Sequence, residues 1–254
     1  MVSGLLPARV VVSPGAEALA GGLSAAEALA GGRGTIVMLR AAGVSTLRRR
    51  LAPAEVYALR KALLGLGPGE ALRPRLAGET LVGFVCAGGV VGRGAVAGSA
   101  AAGATAAAEG ATTGADHASA VAEGATTGAD HASAVAERAV AVADHANLTW
   151  MSPLVGPNDD SLGPRFPAMA GIYEPGVVQA ALGVPPAVVA CVGDIHRLGA
   201  FEAELITGLG WTVVSHELAP VAITAAHLGF CVAAAVLVGG SDTHTPWGTR
   251  GEER

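Results

Sequence analysis

The chain has 254 residues, of which 51% are hydrophobic and 15% charged, with 37 glycines and a formal net charge of -5. That length suits one large α/β domain, and the composition excludes a chain disordered by low hydrophobicity and high charge. The negative charge and the lack of a Lys/Arg run with interleaved aromatics exclude a nucleic-acid partner.

In chain order, the start MVSGLLPARVVVSPG has no basic stretch ahead of a long apolar run, so it does not read as a signal peptide. The apolar runs ARVVVS and TIVML predict two strands, APAEVYALRKALLGL a helix, and TLVGFVCAGG a third strand. The glycine run GRGAVAG at 92–98 is not a dinucleotide fingerprint and reads as a loop. The three cysteines, Cys86, Cys191 and Cys231, are far apart and form no CxxC pair, which fits a reduced, cytoplasmic compartment and gives no zinc site.

The middle of the chain is a tandem duplication. AEGATTGADHASAV at 108–121 recurs unchanged at 122–135, and a degenerate copy follows as AERAVAVADHAN. Copies this short and small offer little apolar surface to stack, so the segment 99–137 is read as an insertion within a domain spanning 1–254. The repeated Asp-His pairs at 116/117, 130/131 and 144/145 do not make a metal site on one helix, because successive histidines would lie about 21 Å apart.

Downstream, AVAVADH, AVVACVG, WTVVS and CVAAAVLVGG predict strands, and FEAELITGLG predicts a helix between two of them. Residues 218–241 carry no Asp, Glu, Lys or Arg and reach the length of a bilayer span. Pro220, His227 and Gly229 argue against a span, as does the change from PVAITAAHLGF to the β-rich CVAAAVLVGG; the segment reads as a helix leading into a buried strand. Strands alternating with helices predict an α/β fold, a central sheet covered on both faces.

From Asp144 the sequence becomes specific: DHANLTWMSPLVGPNDDSLGPRFPAMAGIYEP runs to 175. This stretch resembles the pattern DHxNL, SPLxGPND, GxRFPxM and a following tyrosine of the trimeric purine nucleoside phosphorylase and methylthioadenosine phosphorylase family. Glu202, Leu209, Gly210, Val214, Pro220, Ala225, His227 and Gly229 continue the match in register, and CAGG at 86–89 resembles a glycine loop of the family.

The resemblance implies a mixed central sheet flanked by helices, a cytoplasmic homotrimer serving purine salvage, and phosphorolysis of a purine nucleoside to free base and pentose 1-phosphate. Inorganic phosphate is the co-substrate, and no metal or organic cofactor is implied. Phosphate would be met by Ser13, Arg40 and the backbone at Cys86 and Ala87; the nucleoside would be met by Gly88, Arg197, Leu198, Val214, His216, Glu217 and Gly240. His216 and Asp242 are the catalytic candidates. Trp150 and Met151 fall in the segment that reaches a neighbouring subunit in the family, with core packing as the other reading of the tryptophan.

Several positions depart from the pattern. Pro14 stands where the family has its phosphate-binding serine, Leu198 where it has the carboxylate that grips the base, and Ser215-His216-Glu217 where it has Gly-Met-Ser. These departures predict a weak enzyme, and the alternative is a catalytically inactive homologue acting as a binding or assembly protein.

Overall fold

The computed structural model describes residues 6–19, 21–39, 53–67, 69–74, 78–91, 139–195 and 198–239. The repeat segment expected as an insertion at 99–137 lies outside the described residues, as do Arg40, Arg197, Gly240 and Asp242.

Seven strands form one mixed sheet: β1 (Arg9–Val12), β2 (Thr35–Met38), β3 (Leu81–Val90), β4 (Ala139–Asn147), β5 (Pro186–Cys191), β6 (Val213–Ser215) and β7 (Cys231–Val238). The order is β2-β1-β3-β6-β5-β4-β7, with a further β3–β7 pairing that closes five of the strands into a ring. β3 is the hinge of this arrangement. It runs parallel to β1 and to β7, where Leu81 pairs with Cys231 and Gly88 with Val238, and its last two residues turn to pair antiparallel with β6.

The alternation of side chains along β1 and β3 divides the core. Val11, Val82, Phe84 and Cys86 face one cluster, while Val10, Val12, Leu81 and Val85 face another, as the two-residue period of a strand requires. The first cluster is covered by helix α3 (Pro53–Leu64) and by α6 (Leu218–His227), through residues such as Leu59, Leu63, Leu218 and Ala222. The second is covered by α2 (Gly22–Ala30) and α4 (Pro175–Leu182), through Ala25, Ala26, Leu29 and Val178. Helix α5 (Ala200–Gly208) packs Ala203 and Ile206 against Ala190, Val192 and Val214.

Within the charge-free stretch, the described residues 218–239 form two elements. Helix α6 ends at His227, Gly229 takes a left-handed φ of 76°, and β7 begins at Cys231. No helix among the described residues is long and apolar enough to cross a membrane. Two helices that the sequence reading leaves unassigned fill the path from β1 to β2: the single turn α1 (Pro14–Glu17) and α2, whose end at Gly31 is a left-handed cap donating to Ala28 and Glu27 carbonyls.

Candidate active site

The exits of β1 and β6 meet the later part of β3 at one rim of the sheet, and four of the buried polar residues among the described ones collect there. Ser13, Ser215, His216 and Glu217 are all buried. Ser13 follows the last residue of β1 and caps α1, its hydroxyl accepting the Ala16 amide at 3.1 Å. That hydroxyl carries one proton, and it donates it to Glu217 Oε2 at 2.6 Å.

Two backbone amides join it. Ala87 N–H donates to the same Oε2 at 3.1 Å, and Gly15 N–H to Oε1 at 3.4 Å. Gly15 has to be glycine for this approach, since a Cβ there would lie 2.9 Å from the Ala87 Cβ and 3.0 Å from Glu217 Oε1. Three donors, with no acceptor facing them among the described residues, suit an ionised carboxylate. His216 Nε2 lies 3.8 Å from Oε1.

Ser215 ties the end of β6 to β3. Its hydroxyl donates to the Ala87 carbonyl at 2.9 Å and accepts the Glu217 amide at 3.3 Å. Because its one proton is spent on Ala87, the contact of 3.8 Å with Cys86 Sγ has the thiol as donor. Burial pushes the Cys86 thiol well above its ordinary value, and the charge of Glu217 adds to this, so Cys86 is a neutral packing residue of the first cluster. Burial likewise pushes Cys191 up to about 12.

The residues assigned to the site from sequence therefore divide. Ser13, Cys86, Ala87, His216 and Glu217 come together at the rim. Gly88 is the neighbouring strand position; it pairs with Val238, and a Cβ there would press on the Val236 side chain and the Val214 carbonyl, so it is a close-packed strand position. The Val214 side chain belongs to the apolar cluster under α5, and Leu198 packs against that same cluster. Ser215 and Gly15 are the members that sequence reasoning passes over. Their signal is slight: one small polar residue closing the apolar run WTVVS, and one glycine after a strand.

The motif residues from 144 to 175 are largely tied to their own loops. Asn147 accepts from the Thr149 amide and hydroxyl and donates to the Met151 carbonyl, folding a turn in which Trp150 takes a φ of 57°. Trp150 is 95% exposed on this chain, so it is not a core residue. Asn158 donates to Asp160 and to the Gly163 carbonyl. Asp159 accepts from Ser161, which holds its carboxyl below the ordinary range. Glu202, further on, accepts the Gly199 amide at 2.8 Å and caps α5.

The closed mixed sheet, with a buried carboxylate held by three donors at its rim, defines an α/β protein. The model of the phosphorylase superfamily matches residues 85–254, well over half of the chain, and the chain belongs to that superfamily. No curated protein matches the chain. Among solved structures, it is similar to isoform 2 of purine nucleoside phosphorylase from Schistosoma mansoni in complex with cytosine and ribose-1-phosphate: identity is 18%, coverage 93% of this chain and 78% of that one, and the TM-score 0.50. For the purine nucleoside phosphorylase of the same organism in complex with adenosine, the values are 15%, 96%, 82% and 0.52. With that organism's enzyme in a complex with BCX-34 the identity is 19% and the TM-score 0.45, and this chain spans 56% of that protein's length. The fold is that of the nucleoside phosphorylases.

Proposed function

We propose that the protein is a pentosyltransferase of the nucleoside phosphorylase kind, which cleaves a purine nucleoside with inorganic phosphate into free base and pentose 1-phosphate, and does so slowly. The observation that carries this reading is the convergence of the Ser13 hydroxyl and the Gly15 and Ala87 amides on one oxyanion-sized place at the strand exits. Phosphorolysis needs such donors for the attacking phosphate, beside a pocket that tolerates positive charge on the pentose. Of the ligands of the two Schistosoma mansoni structures that share the fold, adenosine supports the choice of a purine nucleoside and ribose-1-phosphate that of a pentose 1-phosphate product.

The finer parts of the reading are a cytoplasmic setting, a role in purine salvage and a homotrimer. The exposed Trp150 supports the trimer, since a large aromatic left uncovered on one chain suits a subunit boundary. Arg40, Arg197, Gly240 and Asp242 belong to the proposed site by resemblance. A second reading, a catalytically inactive homologue that binds or assembles, is favoured by the Glu217 carboxylate standing where the anion would be received.

The test is chromatographic release of hypoxanthine from inosine by the purified protein, with and without phosphate. Turnover that needs phosphate but stays below about 0.1 s⁻¹, against roughly 10 s⁻¹ for a typical enzyme, is the expected result. Several turnovers per second would remove the word slowly. No release with inosine, guanosine or methylthioadenosine would leave the inactive homologue.

A further inference from the structure

Glu217 is 2% exposed, and the three groups that reach its carboxylate come from two separate parts of the chain, Ser13 and Gly15 after β1 and Ala87 on β3. A buried carboxylate is tolerated only where its charge is hydrogen-bonded and its position fixed. Both conditions are met: the hydroxyl of Ser13 and the amide of Ala87 hold Oε2, and the Ser215 hydroxyl accepts the backbone amide of Glu217 itself. A place lined by a hydroxyl and two amides, all donating inward, is selective for an oxyanion and indifferent to which molecule supplies it. Here the chain supplies its own.

We propose that Glu217 is an internal anion that fills the phosphate end of the site, so that the residue at 217 decides whether the protein accepts a free oxyanion. The inference rests on the reading above that this donor cluster is where phosphate is received. Occupancy argues for it, because a phosphate oxygen entering between Ser13 and Ala87 would need the position that Oε2 holds at 2.6 and 3.1 Å. Charge argues the same way, because a second anion beside a buried carboxylate is repelled in a medium that screens poorly. The carboxylate cannot simply swing aside at no loss, since leaving would strip it of three donors at once. With a small neutral side chain at 217, the Ser13 hydroxyl and the amides of Gly15 and Ala87 are left facing an open, donor-lined place that takes inorganic phosphate.

The experiment is calorimetric titration of the full chain with inorganic phosphate, on wild type, Glu217→Ser, Glu217→Ala and the double variant Ser13→Ala/Glu217→Ser. Wild type is expected to show no saturable binding up to about 20 mM, and the two single variants a dissociation constant of a few mM or better. The double variant should bind at least about tenfold more weakly than Glu217→Ser, because it lacks the hydroxyl donor. Saturable phosphate binding by wild type at sub-millimolar concentration overturns the proposal without recourse to any variant. So does a folded Glu217→Ser or Glu217→Ala protein that binds no more tightly than wild type. Inosine cleavage is followed on the same samples. Phosphate binding gained at 217 with no cleavage in any variant keeps the proposal and removes the pentosyltransferase reading; phosphate-saturable cleavage by wild type does the reverse.

Discussion

The Ser13 hydroxyl stands between the Ala16 amide, which it accepts at 3.1 Å, and Glu217 Oε2, to which it donates at 2.6 Å, so one side chain caps α1 and anchors a buried charge 204 residues away. Ser13→Ala removes both bonds. Loss of a helix cap costs about 1 kcal/mol and loss of a hydrogen bond to a charged group about 1.5–3 kcal/mol. A fall of about 2–4 kcal/mol in the urea unfolding free energy is expected, most of it absent when the change is made in a Glu217→Ser background. A cost within about 0.5 kcal/mol, the range of an ordinary surface change, would show that the bond contributes nothing.

Gly163 packs against the end of α6, and a Cβ at that position would overlap the His227 carbonyl. The His227 ring also fastens this loop, its Nδ1 donating to the Pro164 carbonyl at 2.9 Å. Gly163→Ala must therefore push the loop off the helix, at about 1–3 kcal/mol for an overpacked contact. In a protein of this size that is a loss of roughly 2–12 °C in Tm. His227→Ala, which removes the latch and leaves a cavity, should cost a similar amount; thermal melts of the two variants indistinguishable from wild type would contradict the packing.

These two contacts also show what the sequence can and cannot disclose. The strands from β1 to β7 are legible because β-branched and apolar runs alternate with helical ones, whereas α2 is not, since its buried face is Gly22, Ala25, Ala26, Leu29 and Ala30, whose small side chains stand out little from the rest of an alanine- and glycine-rich chain. The segment 144–175 is recognisable as a motif, yet nothing in its letters says that Asn147, Asn158 and Gly163 serve their own loop and the neighbouring helix. Ser13, Ala87 and Glu217 are each legible as members of the site. Their mutual contact is not, because it joins residues at opposite ends of the chain, and the resemblance assigns Glu217 to the nucleoside rather than to the phosphate donors.

His145 gives a pH dependence. Its ring is half-buried beside Tyr173, whose hydroxyl lies 2.8 Å from Nδ1, and the two rings meet edge to face. Burial lowers the His145 pKa, only partly offset by the charge of Asp144, and burial raises that of Tyr173, so the phenol stays protonated and donates to a neutral imidazole. The unfolded chain takes up a proton near pH 6.5 that the folded one does not, so stability falls as pH drops below about 6.5 towards the lower folded value. Urea unfolding at pH 7.5 and 5.5 should show this fall in wild type and a smaller one in His145→Asn. Tyr173→Phe should cost about 1 kcal/mol at pH 7.5, for the hydrogen bond alone. An equal fall in wild type and His145→Asn would place the titration elsewhere.

Leu198 occupies the position at which the family pattern has a carboxylate for the base, which makes Leu198→Glu the obvious attempt at restoring activity. The structure argues against recovery. Leu198 packs on the apolar cluster of Ala190, Val192, Ala203, Ile206 and Val214, and a carboxylate placed there would lose its water without gaining a described donor from those side chains. The expected outcome is a loss of about 1–3 kcal/mol in stability, with inosine phosphorolysis still below about 0.1 s⁻¹. One missing donor at a reacting centre costs about 10²–10³ in rate, and the anion end of the site would be unchanged by this substitution. Combining it with Glu217→Ser separates the two ends: if the base contact is the limiting defect, Leu198→Glu alone raises turnover at saturating phosphate, and if the filled anion place is limiting, only proteins carrying Glu217→Ser do. Steady-state rates of the four proteins against phosphate concentration distinguish these outcomes, and the second is the one expected from the hold of Ser13 and Ala87 on Glu217.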